Sequence, residues 1–291
     1  MEKKELFNKF KDYAAFNIIA DFSEKNSELF KKYFDELVEW NQKFNLISFK
    51  SETDLIYRHF CDSLYSAKAI LESQSENNKD PGLRHSEAAR QSVPDQNYSQ
   101  KKACRPELVS ESAAAANSAL QLKVADLGTG SGMPGIPVKI AIPEIKLTLV
   151  ESITKKCAFL ENAAKKLGFD IEILNKRAEE IGQNPAYRQK YDIVLSRAVS
   201  KFSPNLEISI PLLKVGGRFI VHKTKNSAES KEEGLPSVEN ALRHLGAKLE
   251  NIIPYKLPEQ ELDYCILVFK KYKDTPAQFP RKPGIPEKKP L

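Results

Sequence analysis

Apolar positions in the first part of the chain recur at intervals of three and four. Leu29, Phe30, Tyr33, Phe34, Leu37 and Val38 mark one face of an amphipathic helix, and a second helix is predicted to carry Leu55, Ile56, His59, Phe60, Ser63 and Leu64. From about Gln74 to Ala119 the period is lost. That stretch holds Asp80-Pro81-Gly82, scattered His, Arg and Gln, and a run of alanines after Ser112. With few large apolar residues to bury, it reads as a poorly ordered insertion. After Leu122 short apolar runs alternate with helical patterns, which predicts a parallel sheet with covering helices. Strands are expected at 124–127, 146–150, 171–174, 191–195 and 218–221, with a helix over 154–167 stopped by Gly168. The runs 248–254 and 264–269 are linked by a short polar loop, so they must pair antiparallel and end the sheet in an antiparallel edge. The expected organisation is a helical segment over 1–73, an insertion over 74–119, an α/β core over 120–271 and a tail over 272–291.

Composition narrows the class. The chain has 291 residues, enough for one large α/β core with an appendage. It is 41% hydrophobic and 29% charged, an ordinary globular balance. No apolar run nears the ~18 residues of a membrane span, and no apolar stretch follows a basic head at the start, as a secretory signal would require. Cys61, Cys104, Cys157 and Cys265 are scattered without a CxxC spacing, which argues against zinc and against a disulfide framework. The expectation is a cytoplasmic monomer with free thiols, bound to neither metal nor membrane.

Charge is unevenly placed. The net charge is +6, and between Lys270 and Leu291 seven Lys or Arg face only Asp274 and Glu287. Tyr272 and Phe279 are interleaved with them, a pattern suited to a phosphate backbone and unstacked bases. The run Phe279-Pro280-Arg281-Lys282-Pro283-Gly284-Ile285-Pro286 excludes helix and central strand, so the tail is expected to be extended and available for contact.

The chemistry centres on Asp126-Leu127-Gly128-Thr129-Gly130-Ser131-Gly132, where a strand turns into a helix. Glycines allow a tight turn and close approach of a ligand, and the helix start offers free N–H groups. Glu151 follows the second strand by about 20 residues, where an acid accepts from ribose hydroxyls. Neither feature alone separates a dinucleotide from S-adenosylmethionine. Asp126, read as an anion at the loop mouth, repels phosphate and suits a sulfonium or amino group. Ala178, Arg197 and His222-Lys223 fall at the ends of later strands, and Ala178, Arg197 and Lys223 are expected to face one crevice with Asp126 and Glu151. Arg58 and Asp62, four apart, are expected to share a helix face as an ion pair.

Several segments together resemble the bacterial 16S rRNA guanine-N7 methyltransferases, also called glucose-inhibited division protein B. They are Trp40-Asn41 to Leu46, Arg58-His59 with Asp62-Ser63, Asp126 to Pro137, Ser196-Arg197-Ala198 and Phe279 to Gly284. The resemblance implies a Rossmann-like class I S-adenosylmethionine-dependent methyltransferase fold, with a seven-stranded, mostly parallel sheet, its last strand antiparallel, behind an N-terminal helical segment. It implies S-adenosylmethionine as cofactor and 16S rRNA of the small ribosomal subunit as partner. Carried over, the cofactor residues are Asp126, Gly128, Gly130, Met133, Glu151, Ala178, Glu179 and Arg197. Arg197, Lys223 and Arg58 are the catalytic candidates. Arg58, His59, Lys223, Arg281 and Lys282 are placed on the RNA side. The insertion departs from the family, and Cys104 to Ser112 looks like translated palindromic repeats inserted in frame. A long surface loop costs little, ~0.6 kcal/mol per doubling.

The implied reaction is direct displacement of the sulfonium methyl by a base nitrogen. N7 of guanine has a lone pair and no proton, so the absence of an obvious buried His or Asp base in the sequence fits. Two other readings stand beside it. A nicotinamide-dependent oxidoreductase requires Gly-x-Gly-x-x-Gly, for which Gly132 falls one residue early. A non-catalytic rRNA-binding assembly factor would have no need of an intact cofactor loop.

Overall fold

The computed structural model describes residues 3–79, 121–197 and 201–291. Most of the expected insertion, Cys104 and Ala198 lie outside the described residues. Residues 71–121 form a separate unit; the other, residues 1–70 and 122–291, holds the sheet and the helices packed on it.

Helices α1 (Lys3–Asn17) and α2 (Glu24–Lys43) open the chain. Ser23 and Asn26 start α2 with a reciprocal cap, in which the Asn26 amide donates to Ser23 Oγ at 3.3 Å and the Ser23 amide to Asn26 Oδ1 at 2.8 Å. The expected apolar face of α2 is buried at Phe30, Tyr33, Phe34 and Leu37. Asn41 explains part of its motif: Oδ1 accepts from the amides of Leu46 and Ile47 at 2.9 and 3.0 Å and closes the turn after α2. The second predicted helix is present in three joined pieces: α3 (Glu52–Asp54), a π-helical stretch Leu55–Cys61, and α4 (Asp62–Lys79). Helix α4 runs past Ser73, so the helical segment is longer than its periodicity indicated.

The core alternates as expected: β1 (Lys123–Leu127), α5 (Gly135–Ala141), β2 (Lys146–Val150), α6 (Thr154–Leu167), β3 (Glu172–Leu174), α7 (Ala178–Gln183), β4 (Tyr191–Arg197), α8 (Phe202–Ser209) and β5 (Leu213–Thr224). Then come α9 (Lys225–Glu229), α10 (Glu239–Leu245), β6 (Ala247–Lys256), β7 (Asp263–Lys271) and α11 (Ile285–Lys288). Gly168 ends α6 in the left-handed region at φ 70°, as a glycine stop should.

One seven-stranded sheet results, in the order β3-β2-β1-β4-β5-β7-β6. Its pairings are parallel from β3 through β5. Strand β7, the last in sequence, runs antiparallel to both neighbours and is slotted between β5 and β6, so β6 takes the edge. This is the order of the class I methyltransferase sheet. The strands β1 and β2 are buried over nearly their whole length because both sheet faces are covered. One core layer joins α1, α2, α4, α5 and α6 to the sheet, including Phe10, Phe34, Phe60 and Phe159. The other joins α7, α8 and α10 to the opposite face and includes Phe202, Phe219, Phe269 and Phe279. Among the described residues no helix is long and apolar enough to cross a membrane, and no group of three or more potential metal ligands is found.

Candidate functional site

The order reversal between β1 and its neighbours β2 and β4 opens a crevice at the carboxyl ends of the strands. The glycine loop fills its floor, and its glycines serve different ends. Gly128, Gly130 and Gly132 have φ of 62°, 61° and 91°, open to glycine at little cost. A Cβ on Gly132 would meet Ile136 Cδ1 at 2.5 Å and the Tyr33 hydroxyl at 2.9 Å, so packing also excludes one there. A Cβ on Gly130 would find no atom nearer than 3.9 Å.

Two acids hold this loop. Asp126 Oδ2 accepts from Thr129 Oγ1 at 2.6 Å and from the Gly135 amide at 2.8 Å. Glu151 Oε2 accepts from the Gly130 amide at 3.0 Å and Oε1 from the Ile153 amide at 2.9 Å, joining the loop to the start of α6. Asp126 does not stand at the loop mouth, where its charge had suggested it. It is fully buried behind the loop, its Oδ1 has no partner, and burial pushes its carboxyl up to about 7 despite the Thr129 and Gly135 bonds. Its role here is to shape the loop.

A cavity of about 380 Å³ lies over this floor, lined by Gly128, Val150, Ser152, Ala178 and Glu179, and on its outer side by Gly284, Pro286, Glu287 and Lys288. Of the cofactor candidates, Gly128, Ala178 and Glu179 line this cavity, while Met133 is buried and does not.

A second cavity, about 340 Å³, is lined by Arg58, His59, Asp62, Arg197, Asn205, His222, Lys223, Thr224 and Tyr264. Helix α8 gives Pro204 and Ile208 to the first cavity and Asn205 to the second, so the two flank one helix. Arg197 lines the second cavity and not the first. Its Nη1 donates to Asp62 Oδ2 at 3.1 Å; its Nη2 donates to His59 Nδ1 at 2.9 Å and lies 3.7 Å from Met133 Sδ. His59 Nε2 faces Ser48 O at 3.1 Å, which suits a neutral ring protonated at Nε2. Burial, with the neighbouring Arg197 charge, lowers its pKa to about 4, in agreement.

Asp62 anchors a further network. Its Oδ1 accepts from the Tyr255 hydroxyl and lies 3.3 Å from His222 Nδ1, while His222 Nε2 meets Ser66 Oγ at 2.6 Å. These contacts are satisfied when His222 carries its proton on Nδ1. Burial acts to raise the Asp62 carboxyl, but His222, Arg197 and Tyr255 outweigh it and hold the group well below the usual carboxylate range. Tyr255 is driven far upward by burial and by Asp62. Contrary to the sequence reading, a buried Asp and a buried His do adjoin the site. Both are already engaged with one another.

The structure gathers Arg58, His59, Arg197 and Lys223 around the second cavity. Arg58 does not pair with Asp62; it lies 3.8 Å from Asp54, four residues before it, while Asp62 is engaged by Arg197. Lys223 Nζ sits 4.9 Å above the Phe202 ring, and burial lowers its pKa. Arg281 and Lys282 lie elsewhere, on the tail. Arg281 is bound to the fully buried carboxylate of Glu207 through Nε at 2.8 Å and Nη2 at 2.5 Å, so it is not a free cation. Nor is the tail an extended arm: it packs on the core and forms α11, with Pro286 inside the first turn. Of the seven cations counted from Lys270 onward, two belong to β7: Lys271 is completely buried and Lys270 is paired with Glu250 at 3.4 Å. Sequence reasoning missed Tyr255, Asn205, Tyr264, Glu207 and the network role of His222. Only His222, beside Lys223 at a strand end, carried a positional signal.

The model of one protein family, described as rRNA small subunit methyltransferase G, matches residues 26–81 and 102–251, leaving a break inside the expected insertion. The ribosomal RNA small subunit methyltransferase G of Alkaliphilus oremlandii is 36% identical over 262 residues, 89% of this chain and 88% of that protein. The protein of the same name from Acetivibrio thermocellus is 34% identical over 293 residues, spanning 100% of both chains. Among solved structures, a putative transferase from Pyrococcus horikoshii overlaps 53% of this chain and 58% of that one, at 14% identity and a TM-score of 0.43. That overlap is partial, and the fold assignment rests on the strand order.

Proposed function

The chain belongs to the rRNA small subunit methyltransferase G family, and on that premise we propose that it transfers a methyl group from S-adenosylmethionine to N7 of a guanine in 16S rRNA, in the cytoplasm. The observation that carries this reading is the pair of cavities flanking α8, one over the glycine loop and one lined by Arg58, Arg197 and Lys223.

The first cavity and the residues beside it fit the cofactor, though Glu151 and Gly130 stand next to its lining and not in it. The loop glycines let the backbone approach a ligand closely. Both Glu151 oxygens accept one backbone amide and keep a lone pair for a ribose hydroxyl. When bound, S-adenosylmethionine supplies an electrophilic methyl on a sulfonium. Helix α7, opening at Ala178, lines the same space.

In the second cavity this chain's residues bind and orient. Guanine N7 carries no proton, so the reaction needs no base. Asp62 is suited to a positioning role, since its oxygens are occupied by Arg197, Tyr255 and His222. Arg58 and Lys223 are the cations for RNA phosphates, and placing a charge there favours the backbone over a ring that becomes cationic on methylation. Holding nitrogen, methyl carbon and sulfur in line is the remaining contribution.

The test is incubation of the purified protein with methyl-labelled S-adenosylmethionine and small subunits or 16S rRNA lacking the modification, with mass mapping of the product. Label in one N7-methylguanine is expected. Label at another atom, or none with either substrate, overturns the proposal. Calorimetry with S-adenosylmethionine and NADH separates it from the oxidoreductase reading.

A further inference from the structure

We propose that the tail is part of the cofactor site: residues 284–288 form the outer wall of the S-adenosylmethionine cavity, and the basic residues around them are not an RNA-binding arm. This rests on the reading that the first cavity takes that cofactor.

The anchor of the tail is costly to build. Glu207, on α8, is completely buried, and a buried carboxylate is stabilised only if it is paired and hydrogen-bonded. Arg281 meets it with two guanidinium nitrogens and its own amide, the last at 2.9 Å. A segment whose task was to reach RNA would gain nothing from fixing its central arginine inside the protein. Further anchors surround this one. Arg188 donates to the carbonyls of Thr275 at 2.7 Å and Phe279 at 2.5 Å. Phe279 is buried in the core layer under α8. A Cβ on Gly182 would meet the Pro280 ring at 2.7 Å, so the tail lies directly on the α7 backbone. Beyond the wall, Ser203 Oγ meets the Leu291 amide at 3.1 Å.

The anchors act on the elements that line the cavity. Glu179, at the start of α7, accepts from the Gly284 amide at 3.0 Å, and Gly284, Pro286, Glu287 and Lys288 face Gly128 and Ala178 across the same space. The tail thus straps α7 to α8 and closes the side of the cavity that the strand ends leave open. Without it, Ala178 and Gly128 would border solvent, and a bound cofactor would keep more of its surface in water.

The experiment uses the full chain with Pro286→Gly, Glu287→Ala and Lys288→Ala combined, which removes wall side chains and leaves Arg281 and Glu207 intact. A second variant ends at Arg281, keeping the anchor. Kd for S-adenosylmethionine and S-adenosylhomocysteine is measured by calorimetry, and affinity for a 16S rRNA fragment by filter binding at fixed salt. The expected result is a tenfold or greater loss of affinity for both cofactor forms in the shortened chain, a threefold or greater loss in the triple variant, and RNA affinity within twofold in each. Unchanged cofactor affinity in the triple variant overturns the proposal, and so does a larger loss on RNA than on cofactor in either variant. If the unaltered chain binds neither cofactor form, the cofactor reading itself fails, a separate outcome.

Discussion

Arg197, the last residue of β4, places its guanidinium 3.1 Å from the carboxylate of Asp62, the first residue of α4, with side-chain exposures of only 15% and 8%. The pair joins the sheet to the N-terminal helices at the point where both reach the second cavity. Burying two charges is costly, and removing one partner leaves the other stranded.

Asp62→Ala is therefore expected to cost about 3–5 kcal/mol. For a chain of this size that lowers Tm by roughly 2–4 °C per kcal/mol. The double variant Asp62→Leu/Arg197→Met should recover part of the loss, because no charge is then left unpaired. Thermal unfolding of the single and double variants measures this; a single variant within about 0.5 kcal/mol of the parent would mean that the pair does not form in solution.

Asp126 and His59 give opposite pH signatures. The Asp126 carboxyl is raised from 3.8 to about 7 on folding, so its stabilising contribution is full below 3.8 and is lost as pH rises through 7. Asp126→Asn keeps the acceptor for Thr129 and Gly135 and removes the charge. Its stability relative to the parent should improve between pH 4 and pH 8, by up to about 4 kcal/mol. Urea midpoints at the two pH values check this, and a constant difference would show that Asp126 stays ionised. His59 is lowered from 6.5 to about 4, so its contribution is present above 6.5 and lost as pH falls towards 4. His59→Gln should flatten that acid limb.

The loop glycines should separate by role. Gly132→Ala forces a Cβ against Ile136 and Tyr33 at a φ of 91°, and is expected to cost more than about 2 kcal/mol of stability. Gly130→Ala meets open space, so its cost is the left-handed backbone alone, about 1–2 kcal/mol. Chemical denaturation of the two variants reads the difference. Equal losses would contradict the packing account.

Salt dependence and stability together separate the two basic residues that stand side by side in the tail. Lys282 is exposed, and Arg281 is bound to Glu207. With the tail as a wall of the cofactor site, Lys282→Ala should leave the slope of log affinity against log salt unchanged; a slope reduced by about one would put Lys282 on a phosphate. Arg281→Met should leave the slope unchanged and lower stability by about 3–5 kcal/mol, since Glu207 is then buried alone.

How legible each feature was in the sequence depended on how locally it is encoded. The seven strands, the stop at Gly168 and the loop from Gly128 to Gly132 are written in neighbouring residues, and alternating apolar runs leave little choice of architecture. The placing of Arg197 and Lys223 at one cavity was legible because both end strands that point the same way; Arg58 and His59 lie inside a helical stretch, and only the family resemblance brought them there. The partner choices were not. Asp54 and Asp62 both stand four residues from Arg58, and helix arithmetic says neither which of them pairs with it nor that Asp62 turns to Arg197. Tyr255 lies on an edge strand 193 positions from Asp62, with no local mark of its hydrogen bond. The tail misled for a related reason: composition counts charges, but Lys271 is buried at the end of β7 and Arg281 is bound to Glu207, through contacts with residues distant in sequence.

The π-helical stretch Leu55–Cys61 makes the site sensitive to chain length in a way that no single side chain does. Hydrogen bonds reaching five residues back are poorer than those reaching four, and the stretch holds one more residue than a regular helix would place in its turns. Deleting a residue before Arg58 would let the segment relax to ordinary α-helix, a gain for the helix itself. It would also remove the widened turn that carries Arg58 and His59, shifting the His59 ring from the position in which it meets Arg197. Local comfort and a working site thus pull this segment in opposite directions, and a stabilised shorter variant should be an inert one.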